Sequence, residues 1–194
     1  MKDFGLNCNG QLGLDDEERL TPTAIPNIKA LQVSAGGSHT VIIDLENNIW
    51  TFGNNYNGKL GLGDKQDRLI PTQIPNIKAL QVSTGEHTAI IDLENNVWTF
   101  GYNYNGQLGL GDTINRLNPT QILNLKAKEV SVGTNHTVII DLENNVWTFG
   151  NNKYGELGLG DKQNRLIPTK IPNVKGEKVS TRYDHTIMIG TIVI

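Results

Sequence analysis

Apolar and polar positions along the chain fall into short runs, and no stretch sustains the three-and-four spacing of an amphipathic helix. Residues 79–83 (ALQVS) and 87–92 (HTAIID) are β-branched runs that read as strands, and Gly85 and Glu86 between them fit a tight turn. The next turn falls at LENN, residues 45–48, 93–96 and 142–145, where consecutive Asn residues tolerate the positive φ that a hairpin requires. A third strand, VWTFG, leads through an Asn and Gly loop to LGLGD. A polar segment of the form RLxPTxI follows, carrying Pro71, Pro119 and Pro168. Because Pro lacks an amide donor, that segment is expected at a sheet edge or outside the sheet.

These signals recur. Trp50, Trp98 and Trp147 are 48 and 49 residues apart, and His39, His87, His136 and His185 are spaced by 48, 49 and 49. Each His is followed by Thr and an apolar run. The chain opens with FGLNCNGQLGL, the second half of a repeat, and closes with VSTRYDHTIMIGTIVI, the first half. The reading is one repeat domain, 1–194, with complete units at 33–81, 82–129 and 130–178, a C-terminal half repeat at 1–32 and an N-terminal half repeat at 179–194. A small antiparallel sheet of this period cannot cover both its faces, so neighbouring copies must do so. That points to an all-β propeller or an open stacked array, with the propeller favoured.

The string of Gly, His, Thr and an apolar run, then Trp, Gly, a polar loop and GQLGLGD, resembles the regulator-of-chromosome-condensation repeat, of which this would be a short member. The resemblance implies a β-propeller of four-stranded blades whose ring closes by one blade taking strands from both chain ends. Here that means about four blades, three complete and one built from the two termini; the alternative is an open arc whose free edges pair with another copy. The closing blade departs from the pattern. Lys2 stands where the units have Trp, Arg182 stands where they have Gly36, Gly85 and Gly133, and no glycine lies between Leu14 and Asp15. The resemblance also implies a structural role for the His and Trp series.

Composition narrows the function. Gly makes up 21 of 194 residues, Cys8 is the single cysteine, and 17 Lys and Arg against 20 Asp and Glu give a net charge of −3. A disulfide scaffold is therefore excluded, and no global positive field is available for nucleic acid. No apolar run reaches the roughly 20 residues of a membrane span, and the N-terminus lacks a signal-peptide core, so an intracellular, cytoplasmic or nuclear, soluble protein is expected.

The four histidines could in principle meet on an axis around Zn²⁺, but their regular place at strand starts favours structure, and neither a metal nor a cofactor is expected. The DLEN acids, Asp44, Asp92 and Asp141 with Glu46, Glu94 and Glu143, read as solvated turn residues. The Gly loops lack a following Lys and Ser or Thr and open no helix, so they are not phosphate loops. Arg19, Arg68, Arg116 and Arg165 form a ring that could meet an acidic partner or pair with Asp15, Asp64, Asp112 and Asp161. Tyr56, Tyr102, Tyr104 and Tyr154, interleaved with Asn, suit contact with a partner or packing between blades. A nearly uniform repeat supplies like groups again and again, whereas catalysis needs unlike groups with separated pKa values. The expected function is thus a non-enzymatic scaffold for a protein partner. Family resemblance offers nucleotide exchange on a small GTPase as the alternative, and a carbohydrate-binding propeller ranks below both.

Overall fold

The computed structural model describes residues 1–15 and 17–193. All regular elements among them are strands, so none is a helix long and apolar enough to cross a membrane. Strands β1 (Lys2–Gly5) and β2 (Arg19–Ala24) form an isolated antiparallel pair. The first whole blade consists of β3 (Ala30–Ala35), β4 (His39–Asp44), β5 (Asn48–Gly53) and the opening part of β6 (Arg68–Thr84). The remainder of β6 starts the second blade with β7 (His87–Asp92), β8 (Asn96–Gly101) and the opening of β9 (Arg116–Val132). The third blade runs from the rest of β9 through β10 (His136–Asp141) and β11 (Asn145–Gly150) into β12 (Arg165–Arg182). The end of β12 pairs with β13 (His185–Ile192) as a second half blade.

Each long strand therefore serves two blades, as the outer strand of one and the inner strand of the next. The Pro segment forms the outer strand, where a missing amide costs nothing, as the sequence predicts. The LENN turns hold Asn47, Asn95 and Asn144 at φ of 64°, 66° and 67°. In the shortened first copy, Asp15 adopts φ 78°, the conformation that Gly63 takes at 82°, and its amide bonds the Leu69 carbonyl as that of Gly63 bonds Leu117. One aspartate thus replaces the missing turn glycine.

The core lies between blades. Val41, Ile43, Ile49 and Ile74 of one blade pack on Val82, Ile90 and Phe100 of the next, and Ala89, Ile91, Val97 and Ile122 pack on Val130, Ile139 and Phe149. Phe52, Phe100 and Phe149 are fully buried, each contributing about 1.5–3 kcal/mol of transfer free energy. A blade alone has neither face covered, which is why the array is cooperative with its neighbours.

The two half blades do not meet: β1 and β2 form their own sheet, and β13 ends the other sheet at the opposite edge from β3. Of the two arrangements expected, the chain adopts the open arc and not the four-bladed ring. Among the described residues, β13 lacks the third strand that covers its counterparts, and β1 lacks the second.

Candidate partner-binding face

The histidines are the stitches between blades. His39 Nε2 lies 2.9 Å from Thr88 Oγ1, His87 Nε2 2.6 Å from Thr137 Oγ1, and His136 Nε2 3.0 Å from Thr186 Oγ1. Thr88, Thr137 and Thr186 donate their hydroxyl protons to the carbonyls of Lys59, Gln107 and Glu156. Each hydroxyl must then accept from the imidazole, so Nε2 carries the proton. The Nδ1 atoms of His39, His87 and His136 are buried without a partner. Burial, reinforced by the positive charge of Lys59 and the neighbouring imidazole, holds His39 at a pKa of about 3. Burial, then His136 and Lys59, holds His87 at about 3 as well. His136 is lowered by burial, opposed by Glu156 and Asp184. A glycine lies over two of these rings: a Cβ at Gly36 would sit 2.7 Å from the His39 ring, and one at Gly133 would collide with His136, while one at Gly85 would collide with the Gly133 carbonyl. Arg182 occupies this place in the last copy, and His185 there is exposed. The four imidazoles do not converge, and among the described residues no group of His, Cys, Asp or Glu is arranged to hold a metal.

The DLEN aspartates are turn clamps with a role for Trp. Asp92 Oδ1 accepts the amides of Glu94 and Asn96, while Oδ2 accepts the Asn96 side chain and the Trp98 indole N–H at 2.8 Å. Asp44 does the same with Trp50, and Asp141 with Trp147. Burial by itself would raise these carboxyls; the hydrogen bonds outweigh it and keep them below the usual value. Asp44 and Asp92 are thus buried acceptors, where solvated turn residues were expected.

The arginine ring is engaged within the chain. Arg68, Arg116, Arg165 and Arg19 bond Asp64, Asp112, Asp161 and Asp15 at 2.6, 2.5, 2.6 and 2.8 Å. The Arg hydrogen bond is the main cause that lowers the carboxyls of Asp64, Asp112 and Asp161.

Sequence reasoning missed the residue that shapes the loops. Asn7, Asn55, Asn103 and Asn152 are fully buried. Asn103 accepts the Leu108 amide through Oδ1 and donates Nδ2 to the carbonyls of Asp112 and Ile114, as Asn7 does with Leu12, Asp15 and Glu17. Asn55 and Asn152 accept the Leu60 and Leu157 amides and donate Nδ2 to the carbonyl and carboxylate of Asp64 and Asp161. Its presence in all four Gly loops was the available signal. Also missed was the variable position occupied by Gln11, Lys59, Gln107 and Glu156, which is Gln in two copies, Lys in one and Glu in another. Lys59 is buried and bonds Glu86 of the next blade at 2.7 Å, while Gln107 reaches Asn135.

On these stapled loops Tyr56, Tyr104 and Tyr154 are 72, 67 and 63 % exposed. Tyr102 is half-buried and packs on Tyr104 with ring centroids 4.9 Å apart. Burial, then Tyr104 and Glu86, raises the Tyr102 hydroxyl. The register places His39 opposite Gly53 and Gly53 opposite Arg68, so the inner turns, the Tyr loops and the Arg–Asp pairs all lie at one end of the blades. At the axial side of that face is a cavity of about 440 Å³ bordered by Ser34, Thr84, Glu86, Thr134, Arg182 and Tyr183.

Four-stranded antiparallel blades that share long strands and bury their cores against one another define a propeller-type repeat protein. A family model described as the regulator of chromosome condensation (RCC1) repeat matches residues 4–43, 46–91, 94–140 and 143–188, and a second RCC1 repeat model matches 31–59 and 127–156. The chain belongs to the RCC1 repeat family.

Among curated relatives, an RCC1 repeat-containing protein of Schizosaccharomyces pombe is 38 % identical over 60 residues, 30 % of this chain and 17 % of that protein. The ultraviolet-B receptor UVR8 of Arabidopsis thaliana is 38 % identical over 71 residues, 34 % of this chain and 16 % of the receptor. The probable E3 ubiquitin-protein ligase HERC4 of Mus musculus is 39 % identical over 69 residues, 33 % of this chain and 6 % of the ligase. The aligned stretches are therefore a small part of each relative. In fold, the chain superposes on Prp20p of Saccharomyces cerevisiae with a TM-score of 0.85 and 20 % identity, covering all of this chain and 52 % of that one. That structure was described with its binding to Gsp1p and histones. Human WBSCR16 gives 0.60 and 16 %, covering 98 % of this chain and 67 % of that one.

Proposed function

We propose that the chain is a non-enzymatic scaffold that binds a protein partner through its blade loops, on the face that carries Tyr56, Tyr102, Tyr104 and Tyr154 with Arg68, Arg116 and Arg165 at its margin. The observation that carries this reading is the exposure of three Tyr rings on loops whose backbones are fixed by fully buried Asn side chains. Rigid, exposed aromatics bury large area on contact at low entropic cost. His39, His87 and His136 support the non-enzymatic part, since their Nε2 atoms are committed to threonines and their rings are buried. Replacing Tyr56, Tyr104 and Tyr154 together by Ser is expected to leave the circular dichroism spectrum and melting temperature intact while abolishing cross-links to partners identified with the parent chain. Unchanged cross-links would move the binding site to another face.

The second reading, nucleotide exchange on a small GTPase, rests on the family likeness together with the fold shared with Prp20p. Faster release of a fluorescent guanine nucleotide at substoichiometric amounts of this chain would favour it over the scaffold reading.

A further inference from the structure

The two half blades are missing each other's parts. In whole blades the second and third strands pair in one register: Thr40, Thr88 and Thr137 lie opposite Phe52, Phe100 and Phe149, and the adjacent His lies opposite Gly. The same register laid on β13 and β1 sets His185 opposite Gly5, Thr186 opposite Phe4 and Ile187 opposite Asp3. Phe4 is 61 % exposed although its three counterparts are fully buried, and Ile187 and Ile189 of β13 stand open to solvent.

A second mismatch coincides with the first. The rings of Phe52, Phe100 and Phe149 lie against the loop glycines of the preceding copy, Gly13, Gly61 and Gly109, within 2.8–2.9 Å of where a Cβ would stand. Gly158, the fourth in the series, meets no aromatic ring. Beside it is a cavity of about 440 Å³ lined by Thr148, Leu157, Gly158, Ile171, His185 and Met188. Phe4 is thus a knob without a hole, and this cavity is a hole without a knob.

The inner strands show the same complementarity. Ser34 and Ser83 accept the amides of Thr84 and Val132 in the next blade, and Ser131 accepts that of Thr181. Among the described residues Ser180, next in the series, has no such amide to accept, and β3 at the other end of the sheet has no preceding inner strand.

We infer that a second copy of this chain completes the half blades head to tail, with β1 of one copy adding as the third strand beside β13 of the other and Phe4 filling the cavity at Gly158. The occupant is a second copy because the missing strand must place Phe then Gly opposite Thr186 and His185, and among the described residues β1 is an uncovered strand that carries that pair. Such a heterologous contact closes into a ring where the rotation permits and otherwise propagates.

The chain mass is 21.4 kDa. Light scattering on the purified full chain, from micromolar concentration upward, is expected to give twice that mass or a higher multiple. Phe4→Ala, which truncates an already exposed ring, is expected to return the mass to that of one chain with an unchanged circular dichroism spectrum. Monomer at every concentration, or undiminished association of Phe4→Ala, would overturn the inference. An Asp3→Cys, Ile187→Cys chain carrying Cys8→Ser separates the occupants after oxidation. A disulfide-linked dimer on a denaturing gel supports the second copy, whereas a disulfide within one chain, or none, refutes it.

Discussion

Acid should weaken this fold well above the range in which carboxylates titrate. His39 and His87 are fully buried, each is the hydrogen-bond donor to a threonine of the next blade, and each is held at about 3 when its ordinary value is 6.5. In the unfolded chain both take up a proton as the pH drops through 6.5; in the folded chain they do not. The unfolded state therefore binds more protons between these limits. Stability is fully present above about 6.5 and is lost progressively as the pH falls toward about 3. At roughly pH 5 each imidazole costs about 2 kcal/mol, so the pair costs about 4 kcal/mol. His136, lowered for the same reason, acts in the same direction. The clamp aspartates do not confuse the measurement, because their folded values lie below the ordinary 3.8 and their contribution fades only beneath that point.

Urea denaturation followed by Trp fluorescence is the assay. With a slope of about 2 kcal/mol per molar, the midpoint is expected to fall by about 2 M between neutral pH and pH 5. NMR of the imidazole C–H protons supplies an independent readout, in which His39 and His87 stay neutral in the folded chain throughout that range. A midpoint that does not move, or histidines that titrate near 6.5 in the folded state, would refute the assignment of these rings as buried neutral stitches.

Three further outcomes follow from other joints. Glu86→Ala leaves the buried Lys59 ammonium without its carboxylate and is expected to cost about 2–4 kcal/mol by thermal denaturation, whereas Lys59→Met, which removes the buried charge, stays within about 1 kcal/mol of the parent. Asn103→Ala strips the Leu108 amide of its acceptor and is expected to lower stability by about 1–3 kcal/mol, with faster hydrogen exchange confined to that loop as the check. Gly61→Ala combines φ of 70° with a Cβ 2.8 Å from the Phe100 ring and should cost about 2–4 kcal/mol; Gly155→Ala, with φ of 89° and open space, should cost only about 1–2 kcal/mol. Equal losses at the two glycines would show that the aromatic contact is not what limits the first.

The strands were legible because their signals are local. The HTAIID and VWTFG runs became β7 and β8, and the LENN turns took the positive φ that their Asn residues predicted. Of the two expectations for Arg68, Arg116 and Arg165, the pairing with Asp is the one the geometry shows, since an i,i+4 pair needs nothing beyond its own loop. Other assignments fell short where a partner comes from another blade. The imidazoles read as structural without a named partner, and His39, His87 and His136 each bond a threonine about 50 residues away. Lys59 drew no reading from the sequence, and only the approach of Glu86 makes it half of a buried ion pair. The Tyr residues stood undecided between packing and contact. Loop geometry leaves Tyr56, Tyr104 and Tyr154 in solvent and lays Tyr102 against its neighbour.

From the order of residues follow the period near 48, the strands and turns within it, and the need for each sheet to be covered by its neighbours, because these depend on propensities and patterns a few residues long. Three-dimensional packing decided how the blades are joined and that the terminal halves stand apart as the ends of an arc. Curvature and closure arise from the small rotation at every blade-to-blade contact, summed along the array, and no single repeat encodes that sum.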